Sequence, residues 1–74
     1  MSKAILSVIQ TKRSTFSKER KRIAGFILES YDKAAFMTAG RLGKTVNVSE
    51  STVVRFAAEL GYDGYPAMQK ALRR

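Results

Sequence analysis

Seventy-four residues bound a single small domain with room for one modest core. Neither Cys nor His occurs, and the six carboxylates lie singly along the chain; disulfides, thiolate metal sites, the commonest general base and a paired acid and base are all missing, so neither an enzyme nor a cofactor site is expected. Fourteen Lys and Arg give a formal net charge of +8 and a pI near 10.3, which points to a polyanionic partner without saying which one.

The opening Met-Ser-Lys-Ala-Ile-Leu lacks the long apolar stretch of a signal peptide, and no apolar run approaches a membrane span, so the expectation is a soluble, cytoplasmic protein that does not enter a membrane. Ser2 can cap a first helix that runs to about residue 11. Ile5, Val8 and Ile9 form its apolar stripe, and Leu6 widens it. Three turns are too few to be stable alone, so this helix must dock on its own domain or on a second copy.

Residues 12–22, K-R-S-T-F-S-K-E-R-K-R, carry six of the fourteen basic residues and one acid. Two readings stay open for this run: a solvated face, or a set of contacts to backbone phosphates through Lys18, Lys21 or Arg22. Ser17 has the chemistry of an N-cap, with Phe16 before it as a hydrophobic staple, and a helix over about 18–30 follows with Ile23, Phe26, Ile27 and Tyr31 on its stripe. Gly25 falls inside that helix at a cost of roughly 1 kcal/mol against Ala. Residues 31–37 read as a short connection in which Phe36 and Met37 plug the core.

The stretch 38–60, T-A-G-R-L-G-K-T-V-N-V-S-E-S-T-V-V-R-F-A-A-E-L, fits two short helices joined by a tight turn. Thr38 caps the first, and Leu42, Val46, Val48, Val53 and Phe56 are the apolar positions through which the two share a core. Gly43 stands where the backbones would cross. Asn47 stands at the turn, where a positive φ is often required and Asn tolerates it. Ser49 is the N-cap of the second helix and Glu50 complements its positive end. With Val53, Phe56, Ala57 and Leu60 turned inward, Ser51, Thr52, Arg55 and Glu59 face out.

Small polar residues and an Arg on the first turns of such a second helix are the chemistry that reads base edges in the major groove. Ser49, Ser51, Thr52 and Arg55 are therefore the candidate base-side contacts, while Thr38, Arg41 and Lys44 on the preceding helix could reach flanking phosphates or simply be solvated. Arg55 also stands four residues before Glu59 and could pair with it.

Gly61 is placed to end the second helix in a left-handed cap, 62–64 form a turn, and Pro66 suits the first turn of a last helix over 67–72 with Met68 and Leu72 inward. No alternating strand pattern follows, so no wing is expected. The fold expected is all-α, a bundle of about five helices around a central helix-turn-helix. A competing reading keeps this frame but turns its outer face to another protein, although such interfaces favour large aromatic anchors that the face lacks. A third lays the basic N-terminal helices on an anionic membrane, for which the apolar stripe is short.

Three separated segments, in order and at matching spacing, carry a family resemblance: F-S-K-E-R-K-R-I-A-G-F-I-L-E at 16–29, V-S-E-S-T-V-V-R-F at 48–56 and E-L-G-Y-D-G-Y at 59–65. From about residue 5 onward the chain resembles the N-terminal helix-turn-helix domain of the RpiR family of bacterial transcription regulators. The resemblance implies a homeodomain-like helical domain over 1–74 that binds operator DNA, with the family pattern falling on Ser49, Thr52 and Arg55. Asn47 replaces the family's common Gly, Gly43 its common Ala, and Arg41 an acidic residue that often completes a capping box with position 38. Regulators of this type usually continue into a sugar isomerase-like domain that senses phosphorylated sugars and forms oligomers. This chain has no room for one, so the expectation is weak self-association or none here, with the sugar effector and the dimer interface of the longer protein lying elsewhere.

Overall fold

Three hydroxyl side chains fix where helices begin. Ser17 Oγ accepts the backbone N–H of Arg20, Thr38 Oγ1 that of Arg41 at 3.1 Å, and Ser49 Oγ that of Thr52 at 3.2 Å, each satisfying one of the donors that a helix start leaves free. In the computed structural model, which describes residues 4–73, the helices are α1 (Ala4–Lys12), α2 (Lys18–Glu29), α3 (Tyr31–Ala34), α4 (Ala39–Val46), α5 (Glu50–Glu59) and α6 (Tyr65–Arg73), with a 3₁₀ turn at Arg13–Thr15. No strand occurs among the described residues, so α5 is followed by a helix and not by a wing. The cap expected from Ser2 lies outside the described residues.

The core is contiguous and drawn from every helix. Ile5 and Ile9 of α1, Ile23 and Ile27 of α2, Leu42 of α4, Val53 and Phe56 of α5, and Met68 and Leu72 of α6 are all essentially inaccessible to solvent. Each such side chain contributes about 1.5–3 kcal/mol relative to exposure. Helix α1 thus docks within its own domain.

Three expectations are revised. Residues 31–37 are not a plain connection, because Ser30 both ends α2 and opens the one-turn helix α3, with Lys33 N–H and Ala34 N–H donating to its carbonyl. That turn directs Ala34 and Ala35 into the core and leaves Phe36 73% exposed, so Phe36 is no plug and Met37 only half of one. Phe16 packs on Phe56 of α5, ring centroids 5.2 Å apart and tilted by 57°, instead of merely stapling its own helix. The last helix starts two residues earlier than expected, at Tyr65, whose ring is buried.

Helix α6 fastens the corner between α3 and α4. The Tyr65 hydroxyl and Gln69 Nε2 both donate to the Met37 carbonyl, and Arg73 Nε donates to that of Ala35 at 3.2 Å. These carbonyls follow the last turn of α3 and would otherwise lack partners. Burial pushes the Tyr65 phenol above its ordinary value of about 10, since the charged form would lose its water.

Candidate nucleic-acid interface

The two central helices meet where Gly43 lies beneath the turn. A Cβ at position 43 would come within 2.7 Å of the Val48 carbonyl oxygen, a contact that backbone does not yield easily. Asn47 takes the left-handed conformation, φ 62° and ψ 48°, and the chain reverses through a pair of bonds: Val48 N–H to Gly43 C=O at 2.8 Å and Asn47 N–H to Lys44 C=O at 3.3 Å. This is the Schellman arrangement, with Asn in the place usually held by Gly. Helix α5 ends the same way at Gly61, φ 98°, where Tyr62 N–H reaches Ala57 C=O and Gly61 N–H reaches Ala58 C=O. Each helix of the pair is therefore stopped by its own sequence.

The basic run acts on these helix ends. Arg22 Nε donates to Val46 C=O at 3.1 Å and its Nη2 to Asn47 C=O at 3.2 Å, so the guanidinium covers the C-terminus of α4. Lys12 Nζ donates to Glu59 C=O at 3.3 Å, and Arg20 Nε meets the Glu59 carboxylate at 2.7 Å at the end of α5. Cations at the negative ends of helices are favourable, by about 0.3–1 kcal/mol each at the surface. Local spacing offers only solvent and phosphates as partners for this run, because a cation's reach to a helix end 24 residues away leaves no mark in it.

Helix α5 presents a distinct outer strip. Ser51, Val54, Arg55 and Ala58 are exposed at helical spacing, opposite the buried Val53, Phe56 and Ala57. Arg55 has no hydrogen-bond or ion-pair partner among the described residues, and Glu59, four residues on, is paired with Arg20 instead. Ser49 and Thr52 stand differently from Ser51. The Ser49 hydroxyl lies 2.8 Å from Thr52 Oγ1 and 3.2 Å from Ser51 Oγ, and Thr52 is half-buried, so Ser49 and Thr52 serve the cap as well as the outer edge. Val54, 41% exposed in the middle of the strip, was not singled out from the sequence, where it reads as one more apolar residue beside Val53.

Thr38, Arg41 and Lys44 come together along a shallow groove beside the start of α5, closed on its far side by Val48 and Glu50. Arg41 and Lys44 are exposed, and Thr38 is occupied as the cap. Lys21 and Arg22 line a second groove, between α2 and the end of α4, together with Arg13. Lys18 is exposed on the first turn of α2 and lines neither groove.

Residues 3–74 match the family described as helix-turn-helix domain, rpiR family. Over 64 residues the chain is 34% identical to an uncharacterized HTH-type transcriptional regulator, YfhH, of Escherichia coli K12, covering 86% of this chain and 23% of that protein. Over 67 residues it is 31% identical to the HTH-type transcriptional regulator HexR of Pseudomonas aeruginosa PAO1, covering 90% of this chain and 24% of that protein. The chain thus spans about a quarter of the length of these relatives. No solved structure matches. With its helix order, its tight α4–α5 turn and a family match over almost every residue, the chain belongs to the rpiR family of helix-turn-helix domains found in transcriptional regulators.

Proposed function

We propose that this chain reads operator DNA by placing α5 in the major groove, as the DNA-binding part of a bacterial transcriptional regulator. The observation that carries the reading is Arg55, unpartnered among the described residues, on an outer strip that it shares with Ser51, Val54 and Ala58, on a domain of net charge +8. A guanidinium held this way has the reach and the two parallel donors that guanine O6 and N7 accept. Arg41 and Lys44, with the Thr38 and Ser49 helix starts, would hold phosphates beside the groove, and Lys18 and Lys21 would extend that contact along α2. Arg22 would act chiefly through the end of α4 that it caps. The resemblance to regulators that carry sugar-sensing domains supports control of sugar or sugar-phosphate metabolism, exercised in the cytoplasm by a longer, oligomeric protein.

Selection of bound sequences from a random duplex pool, followed by titration of Arg55→Ala, tests the reading. If Arg55 reads a base, the substitution costs about 1–3 kcal/mol on the selected site and much less on random duplex. Equal losses on both would move Arg55 to the phosphates, and a pool from which nothing is enriched would contradict sequence reading altogether.

A further inference from the structure

Of the large apolar side chains exposed among the described residues, Val54 is the one on the outer face of α5; Phe36 lies under the Arg73 guanidinium, 5.1 Å from its ring centroid, and Tyr31 belongs to the α2–α3 corner. Val54 does nothing for the core, which Val53 and Phe56 fill from the opposite side of the same helix. A branched side chain also gains nothing there in helix propensity, since its χ1 freedom is restricted against the preceding turn. Its neighbours on the strip are Ser51 and Ala58, one turn before and after, and both are small enough to let the helix come close to a surface. Arg55 is adjacent, with no partner of its own among the described residues.

One chemical group in the major groove suits an apolar knob at this place. Thymine carries a C5-methyl beside its O4 acceptor, and none of the other three bases has a methyl group there. We infer that Val54 is a specificity-determining residue that packs its γ-methyls against the C5-methyl of a thymine next to the base that Arg55 contacts. The inference rests on the proposal that α5 occupies the major groove. It adds the base class read at a second position and a non-polar means of reading it.

The test uses the duplex selected by the chain from a random pool, remade with deoxyuridine in place of every thymidine, so that only methyl groups are lost. The wild-type chain is expected to bind the uracil duplex about fourfold more weakly, the worth of one buried methyl group. Val54→Ala is expected to bind both duplexes alike, and Val54→Thr, which keeps one methyl, to retain an intermediate preference. Both variants, measured alongside, should keep the wild-type helical content, with melting equal to or slightly above the wild type in Val54→Ala, because the position is exposed and Ala has the higher helix propensity. Equal binding of both duplexes by the wild type, or an undiminished preference in Val54→Ala, would overturn the inference while leaving the groove reading standing. Failure of the pool to enrich any sequence would overturn both.

Discussion

Gly25 and Gly43 are both mid-helix glycines, and an added methyl group should act on them in opposite directions. At Gly25 a Cβ would meet nothing nearer than an Arg13 guanidinium nitrogen at 3.9 Å, which is ordinary contact. Gly25→Ala should therefore stabilise the domain by about 0.5–1 kcal/mol, by removing backbone freedom from the unfolded chain. At Gly43 the same change drives a Cβ into the Val48 carbonyl, and the shift it forces should outweigh the propensity gain, for a net loss of about 1–3 kcal/mol. Urea unfolding of the two variants measures both signs. A stabilised Gly43→Ala would show that the α4–α5 turn relaxes more easily than backbone contact at 2.7 Å allows.

At the scale of the elements, α6 acts as a clamp on the corner that launches α4. Tyr65 is its anchor, donating to a carbonyl that Gln69 shares, so Tyr65→Phe should cost about 1 kcal/mol at neutral pH without unfolding the domain. The pH dependence has a definite sign. The folded phenol titrates above its ordinary value of about 10 because of burial, so its contribution is full below that value and is lost as pH rises through the higher, folded one. The stability gap between wild type and Tyr65→Phe, measured by urea unfolding, should then be constant from pH 7 to 9 and shrink above about 10. A gap that stayed constant to pH 11 would mean that the phenol gains no protection from its surroundings.

As a whole, the molecule is 30 × 25 × 23 Å, with one ten-residue candidate recognition helix. Half-sites read by paired helix-turn-helix domains lie about 34–36 Å apart, so one copy covers one half-site. Ile5 and Ile9, the apolar residues that could have held two copies together through α1, are buried in the domain's own core, leaving Leu6 half-exposed beside them. The chain should therefore sediment as a monomer or weak dimer at micromolar concentration and bind duplex DNA weakly. Its log affinity should fall with log salt by about 0.9 for each phosphate neutralised. Sugar phosphates should act on that affinity only as ionic strength does. A tight dimer in sedimentation would reassign α1, and a specific sugar-phosphate effect against a matched inorganic salt would place an effector site on this domain.

Much of the fold was legible because its signals are local. Ser17, Thr38 and Ser49 cap, Asn47 and Gly61 reverse the chain, and the apolar spacing of 53, 56 and 57 orients α5, all through interactions within a few residues. The one-turn helix α3 was missed because four residues give no period to detect, and its Ala34 and Ala35 carry no strong apolar signal. Contacts between distant parts of the chain could not be read at all. That Arg22 caps α4, that Glu59 pairs with Arg20 and not with Arg55, that Phe16 meets Phe56 and that Phe36 stays outside were decided only by tertiary packing. A long cation's partner depends on which helix ends the fold brings within its reach. Sequence by itself determined the capped starts of α2, α4 and α5 and the frame of the candidate site, because caps and periodicity act along the chain; tertiary structure decided which charges remain for a ligand, because those are the ones the fold does not use.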